Sequence, residues 1–262
     1  MRQDSRGART IALANHKGGV GKSTSTLNIG AGLARAGKRT LLVDLDPQSN
    51  LTLSLGFRDA LERTVYDVLS GDAGVLETVR TTSENLALLP ATLDLAGAEV
   101  ELQSKLGREH ILRLALEPAL ESYEFILIDA PPSLGLLTVN ALAAAEDVFV
   151  PVQCESLALH GLAKFLEVVK EVRTVNRSLR VSGILATRFD GRKVLNRDVL
   201  ETMREEYGDL VFTTAIRDNI ALAEAMGSGS DIFTYAPRSY GAEDYEALVS
   251  EILTRTNPGG GK

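Results

Sequence analysis

An open, doubly wound α/β sheet, mostly parallel and covered by helices on both faces, is the fold class this sequence predicts. Three observations carry that reading. Short apolar, β-branched runs recur along a chain of 262 residues, 44% of them hydrophobic. Helix-period stretches separate the runs, and a glycine-rich segment stands where the first run gives way to a helix.

The runs are TIALAN (10–15), RTLLVDL (39–45), LALLPA (86–91), FILIDA (125–130), DVFVPV (147–152) and SGILATRF (182–189). They are nearly continuous and do not alternate, which is the pattern of strands buried on both faces of a parallel sheet. Between them the spacing predicts helices over 23–36 closed by Gly37, 65–69 closed by Gly71, 157–175, 194–207 and 242–254. The expected order is β-α-β-α throughout, which places ligands beyond the carboxyl ends of the strands. No internal repeat or long linker interrupts the pattern. One domain over 10–256 is expected, with flexible tails at 1–9 and 257–262.

Composition narrows the function. Cys154 is the only cysteine, which excludes a disulfide framework, a cysteine-rich zinc site and an iron–sulfur cluster held within one chain. His16, His110 and His160 show no metal-ligand spacing. No apolar run approaches the roughly 18 residues of a membrane span, so a cytoplasmic protein is expected. A net charge of -7 means that any contact with nucleic acid comes from a local cluster or a second subunit.

The segment NHKGGVGKST spans residues 15–24, after the first predicted strand and into the first predicted helix. In that context a glycine-rich loop binds phosphate: backbone N–H groups wrap the anion and the positive helix end faces it. Gly18, Gly19, Val20, Gly21, Lys22, Ser23 and Thr24 are therefore candidate nucleotide-binding residues. Lys22 is placed on the β- and γ-phosphates, the Ser23 hydroxyl on Mg²⁺ and Thr24 at the α-phosphate. Against the pattern GxxxxGK[ST], the first glycine is His16, and Lys17 stands beside it. With Lys22 already on the phosphates, Lys17 is better placed to point outward. Two copies about a two-fold axis could each insert Lys17 into the partner's site, as an arginine finger would.

Two acidic strand ends complete the candidate site. In LLVDLDPQSN, Asp44 and Asp46 close the second strand ahead of Pro47. Asp46 is expected to position the attacking water close to Mg²⁺, and Asp44 to serve the Mg²⁺ shell and the loop. In FILIDAPPS, four apolar residues end in Asp129, which reads as a Walker B carboxylate for Mg²⁺, and Pro131 and Pro132 give a rigid turn. The catalytic candidates are thus Lys17, Lys22, Asp44 and Asp46; the metal candidates are Ser23, Asp46 and Asp129.

Taken together, KGGVGKST, VDLDPQSN, LIDAPPSLGLLTVNAL, PVQCESLALHGL, IRDNIALAEA and YAPRSYGAEDY resemble the ParA family of chromosome- and plasmid-partition ATPases, and within it the smaller Soj-like members. The resemblance runs from Ile11 to Leu253. It implies a P-loop ATPase with ATP and Mg²⁺, an ATP-dependent sandwich homodimer, nonspecific DNA binding by that dimer on the nucleoid, and hydrolysis stimulated by a ParB-like centromere-binding partner. It implies that Lys17 is the signature lysine and Asp46 the acid tied to hydrolysis. It also implies an adenine site against Thr187, Arg188 and the segment from Ile216 to Asn219. The few residues ahead of the loop leave no room for a helix-turn-helix extension, so operator binding is not expected. MinD-like relatives end in a basic amphipathic membrane helix, whereas this sequence ends in acids and glycines. A dethiobiotin-synthetase-like metabolic enzyme and a positioning ATPase for a non-DNA cargo are the alternatives.

For DNA, Arg173, Arg177 and Arg180 are expected near the end of one long helix, with Arg188, Arg192, Lys193 and Arg197 in the next strand–helix junction. Spaced this way they could form one basic strip. Ala221 and Tyr240 stand where relatives are frequently basic, which leaves Arg217 and Arg238 as weaker candidates.

Overall fold

The computed structural model describes residues 7–256. Seven strands form one sheet: β1 (Arg9–Leu13), β2 (Thr40–Asp44), β3 (Arg80–Ser83), β4 (Leu86–Leu89), β5 (Phe125–Asp129), β6 (Asp147–Gln153) and β7 (Arg180–Thr187). Their spatial order is β3-β4-β2-β5-β1-β6-β7, and every neighbouring pair is parallel except β3 with β4. The helices are α1 (Lys22–Arg35), α2 (Asn50–Leu53), α3 (Val65–Ser70), α4 (Val75–Thr78), α5 (Leu95–Leu102), α6 (Ile111–Leu116), α7 (Leu136–Ala144), α8 (Ala158–Val172), α9 (Val194–Tyr207), α10 (Ile220–Ser228), α11 (Ile232–Tyr235) and α12 (Tyr240–Thr256).

Each central strand sends alternate side chains into two different cores. Ile11, Leu42, Leu127, Phe149 and Leu185 pack beneath α1, α11 and α12. Ala12, Leu41, Val43, Ile126, Val150 and Ile184 pack on the opposite face, against α6, α7 and α8. An apolar residue at every position is thus the period-2 pattern written twice, once for each face. Each fully buried Leu or Ile contributes about 1.5–3 kcal/mol of transfer free energy.

The expected strict β-α-β-α order fails at one place. β3, sequence RTTS, pairs antiparallel with β4 at the sheet edge and exposes alternate residues. A short polar edge strand buries too little apolar surface to announce itself in the sequence, and its polarity discourages further pairing. Among the expected tail residues, Arg9 opens β1 and donates to Asp147. Ala8 is buried as well, and residues 1–6 and 257–262 of the expected tails lie outside the described ones.

Parallel strands bring all their carboxyl ends to one edge. The loop 14–21 follows β1 there, Asp44 and Asp129 are register partners on adjacent strands, and Thr187 ends β7 at the same edge. Helix α1 holds the loop in place by lying close to the sheet on one side and to α12 on the other. A Cβ built on Gly30 would stand 2.4 Å from Leu42 Cδ2, and one on Gly32 would stand 2.6 Å from Val249 Cγ2. Gly30→Ala gains about 1 kcal/mol in helix propensity but overpacks a fully buried leucine, which costs about 1–3 kcal/mol or more. A lower melting temperature, by a few degrees, is the expected result; calorimetry showing an unchanged or raised value would mean that α1 is free to shift.

Candidate functional site

The loop before α1 is built for close approach. Gly19 and Gly21 adopt φ of 75° and 85°, and Gly21 is the left-handed N-cap of α1 without a side-chain cap. The first N–H groups of α1 therefore have no side-chain acceptor and point at the cleft, as an anion site requires. Val20 is buried, and its carbonyl accepts from the Thr187 hydroxyl at 2.9 Å, which ties the loop to β7. The cleft in front has a volume of about 740 Å³. Gly18, Gly19, Gly21, Lys22, Ser23, Thr24 and Asp46 line it.

The charged groups are buried to very different degrees. Lys22, Asp44, Asp46 and Asp129 are 7%, 0%, 7% and 0% exposed. Burial, followed by the neighbouring Asp44 charge, pushes the Asp129 carboxyl up to about 8, while Ser23 and Lys22 pull it down. Asp44 is raised to about 6, first by burial and against hydrogen bonds from Thr52 and Asp46. Lys22 is lowered by burial, which the charges of Asp129 and Asp46 oppose. Thr26 donates to Asp129 Oδ1 at 3.4 Å, whereas Asp129 Oδ2 is buried without a hydrogen-bond partner. An orphaned carboxylate oxygen beside the Ser23 hydroxyl fits a small hard cation. Among the described residues no group of three His, Cys, Asp or Glu could hold a metal alone. Mg²⁺ here would complete its shell with phosphate and water oxygens.

Asp44 and Asp46 differ in their surroundings. Asp44 does not line the cleft. Its Oδ2 accepts from Thr52 N at 2.8 Å and Thr52 Oγ1 at 2.7 Å, and its Oδ1 from Asp46 N at 3.2 Å, so it anchors α2 and the loop. Asp46 does line the cleft, and its Oδ1 accepts from Gln48 N at 2.9 Å. Thr24 also lines the cleft, its hydroxyl 2.8 Å from Met226 Sδ.

Lys17 stands apart from these groups. Its side chain is 46% exposed and pairs with Glu155 on the loop after β6, with Nζ 3.1 Å from Oε2. Sequence reasoning passed over Glu155, although it lies inside the quoted PVQCESLALHGL segment. It also passed over Gln48, Asn50, Arg58, Met226 and Gly227, which line the cleft. Met226 and Gly227 carry no local signal, because only the tertiary fold brings α10 to the loop.

Around the expected adenine position, Phe189 N donates to the Ile216 carbonyl and Asp218 N to the Phe189 carbonyl. The Ile216 side chain is buried in the core, and the Asn219 carboxamide caps α10 by accepting from Ala221 N. Arg188 adopts φ of 49° and lies 3.6 Å from Asp218.

The basic residues are not brought together in one strip. Arg173 caps α8, and Arg177 lies in the following turn. Arg180 opens β7 at the amino edge of the sheet, where with Arg9 it holds the buried Asp147. Arg192 and Lys193 lie at the carboxyl edge and share Asp190, while Arg197 donates to the Gly191 carbonyl. The length of β7 separates the two groups by roughly 23 Å. Arg217 is held by Asp244 and Glu243 and lies 4.1 Å over the Tyr240 ring.

The raised carboxyl groups set a pH dependence with a definite sign. Without ligand, the folded state keeps protons on Asp129 and Asp44 that the unfolded chain releases near its ordinary carboxylate range. Stability of the ligand-free protein therefore falls as pH rises from about 4, and the fall ends near pH 8. Thermal melts from pH 5.5 to 8.5 are expected to show this decline, and Asp129→Asn to flatten it. A wild-type melting temperature that rises across the range would contradict the buried-acid account.

Comparison with known proteins agrees with this geometry. A family model described as an AAA domain matches residues 8–181. Chromosome-partitioning ATPase Soj of Thermus thermophilus is 50% identical over 248 residues, covering 94% of this chain and 96% of the relative. The sporulation initiation inhibitor protein Soj of Bacillus subtilis is 48% identical over 247 residues, covering 93% and 98%. A Mycobacterium smegmatis structure described as cobyrinic acid a,c-diamide synthase with bound ADP and magnesium superposes with a TM-score of 0.85 at 40% identity, covering 96% of each chain. The cell division ATPase MinD of Pyrococcus furiosus gives a TM-score of 0.78 at 28% identity, covering 94% of this chain and 99% of that one. With its loop, acids and sheet order in place and two Soj proteins matched along almost their whole length, the chain belongs to the Soj/ParA family of chromosome-partitioning ATPases.

Proposed function

We propose that this ATPase works as a nucleotide-timed switch. ATP closes two copies into a sandwich dimer, the dimer binds DNA nonspecifically, and hydrolysis to ADP and phosphate, stimulated by a ParB-like partner, releases it. The observation that carries the reading is the contrast between two lysines of one loop. Lys22 is buried in its own cleft, whereas Lys17 stands half-exposed at the edge. A buried lysine serves the phosphates of its own chain; an exposed one is available to a second copy's γ-phosphate.

Each remaining role follows from position. Residues 18–21 supply N–H groups to the phosphates, and Ser23 and Asp129 would hold Mg²⁺, which would supply charge neutralisation for the triphosphate. Asp46, in the cleft with a backbone donor on one oxygen, orients the attacking water. Asp44 keeps α2 and hence Asp46 in place. Adenine lies toward Arg188 and the backbone of 216–219, which adjoin the loop through Thr187. Arg173, Arg177, Arg192, Lys193 and Arg197 remain the DNA candidates, whereas Arg180 is committed to Asp147.

Lys17→Ala is expected to abolish ATP-dependent dimerisation in sedimentation while leaving nucleotide binding by the monomer largely intact. A variant that still dimerises with ATP removes the cross-subunit role. The name carried by the M. smegmatis neighbour motivates a second reading, a metabolic P-loop enzyme with a small-molecule acceptor. A gel shift on random-sequence DNA separates the two. Partition chemistry requires a shift that depends on ATP and weakens steeply between about 50 and 200 mM salt; a metabolic enzyme gives none.

A further inference from the structure

Arg58 is the one residue of the cleft wall whose charge the roles above leave unused. It belongs to the loop after α2, twelve positions beyond Asp46, and its guanidinium donates to the Gly227 carbonyl in the last turn of α10. No ion pair with a carboxylate involves Arg58 among the described residues. An arginine that only decorates a surface has no reason to line a cleft built for a polyanion.

Its place in the cleft is defined by a short chain of contacts. Thr24 touches Met226, Gly227 follows Met226, and Arg58 holds Gly227. That chain leads from Thr24, which the sequence places at the α-phosphate, to Arg58. The loop that carries Arg58 and the C-terminal end of α10 are stacked tightly: a Cβ on Gly229 would stand 3.1 Å from Gly56 Cα. One N–H of the guanidinium is used in closing α10, where a cation suits the negative helix end. The planar fork offers five donors in all, so others remain for a ligand in the cleft. Arg58 thus joins the loop after α2 to the end of α10 at the mouth.

We infer that Arg58 is a further nucleotide-binding residue, a cation that contacts the α-phosphate end of the bound nucleotide. This rests on the nucleotide reading of the cleft but not on dimerisation, DNA or hydrolysis. It also gives the loop that begins at Asp46 a second hold on the ligand: Asp46 at the γ end and Arg58 at the α end.

Binding of Mg-ADP, measured by titration calorimetry on the full chain, tests it without turnover or ATP-driven assembly. Arg58→Gln keeps a side-chain N–H donor for the Gly227 carbonyl and removes the charge; Arg58→Lys keeps the charge. The Gln variant is expected to bind ADP about tenfold more weakly, the size of one charge-assisted hydrogen bond in a partly solvated site. The Lys variant is expected to stay within about threefold of wild type. Wild-type affinity is also expected to fall more steeply with salt than that of the Gln variant. Gln binding as tightly as wild type, or Gln and Lys losing equally with an unchanged salt dependence, would reduce Arg58 to a strut for α10 and overturn the inference. A loss confined to ATP with ADP unaffected would move the contact to the γ-phosphate and overturn it as well. If the wild-type chain binds neither nucleotide, the reading of the cleft fails first.

Discussion

Everything at the carboxyl edge depends on the burial of charge. Asp44, Asp46, Asp129 and Lys22 are each less than a tenth exposed, three negative groups against one positive. Desolvating carboxylates that lack a counter-charge is costly, and burial accordingly raises Asp129 and Asp44 above the ordinary carboxylate range. The ligand-free site is therefore electrostatically unfinished. A magnesium–triphosphate supplies what it lacks: a dication for the acids, and an anion for Lys22 and the loop N–H groups. The sheet makes this possible by setting Asp44 and Asp129 in register on neighbouring strands, and α1 by lying against the sheet at glycine distance.

Much of this was legible because it is local. The loop, its strand and its helix are contiguous, and the double-faced apolar runs marked six of the seven strands. What escaped had no local signature. Residues RTTS of β3 bury too little to show a strand. Helix α7, LLTVNALAA, is apolar nearly all round and so has no polar face to set a period. Thr52, which holds Asp44, lies within an ordinary helix start. Gly227 and Met226 reach the cleft from two hundred residues away, and only the packing of α10, α11 and α1 decides that they do.

The basic residues show the same limit from the other side. Spacing along the chain suggested one strip, but a parallel strand carries its two ends to opposite edges of the sheet, and β7 separates Arg180 from Lys193. Structural duties then reduce what each group can offer. Arg9 and Arg180 are committed to Asp147, and the carboxyl-edge cations share Asp190 and Asp218. A single chain of net charge -7 thus presents a weak, divided positive field. Phosphate contacts release counterions one by one, so affinity grows exponentially with their number. Doubling a weak field by assembly changes binding far more than it changes charge.

That argument joins the lysine contrast to DNA. The Lys17–Glu155 pair is half-exposed on both sides, and such pairs contribute about 0–1 kcal/mol. Exchanging Glu155 for a triphosphate oxygen therefore gives up little, whereas Lys22 cannot leave its pocket without stranding buried acids. The loop combines a buried cation with a loosely held one, which in the proposed switch a second copy recruits. In the proposed switch, assembly follows the γ-phosphate, and the doubled positive field follows assembly.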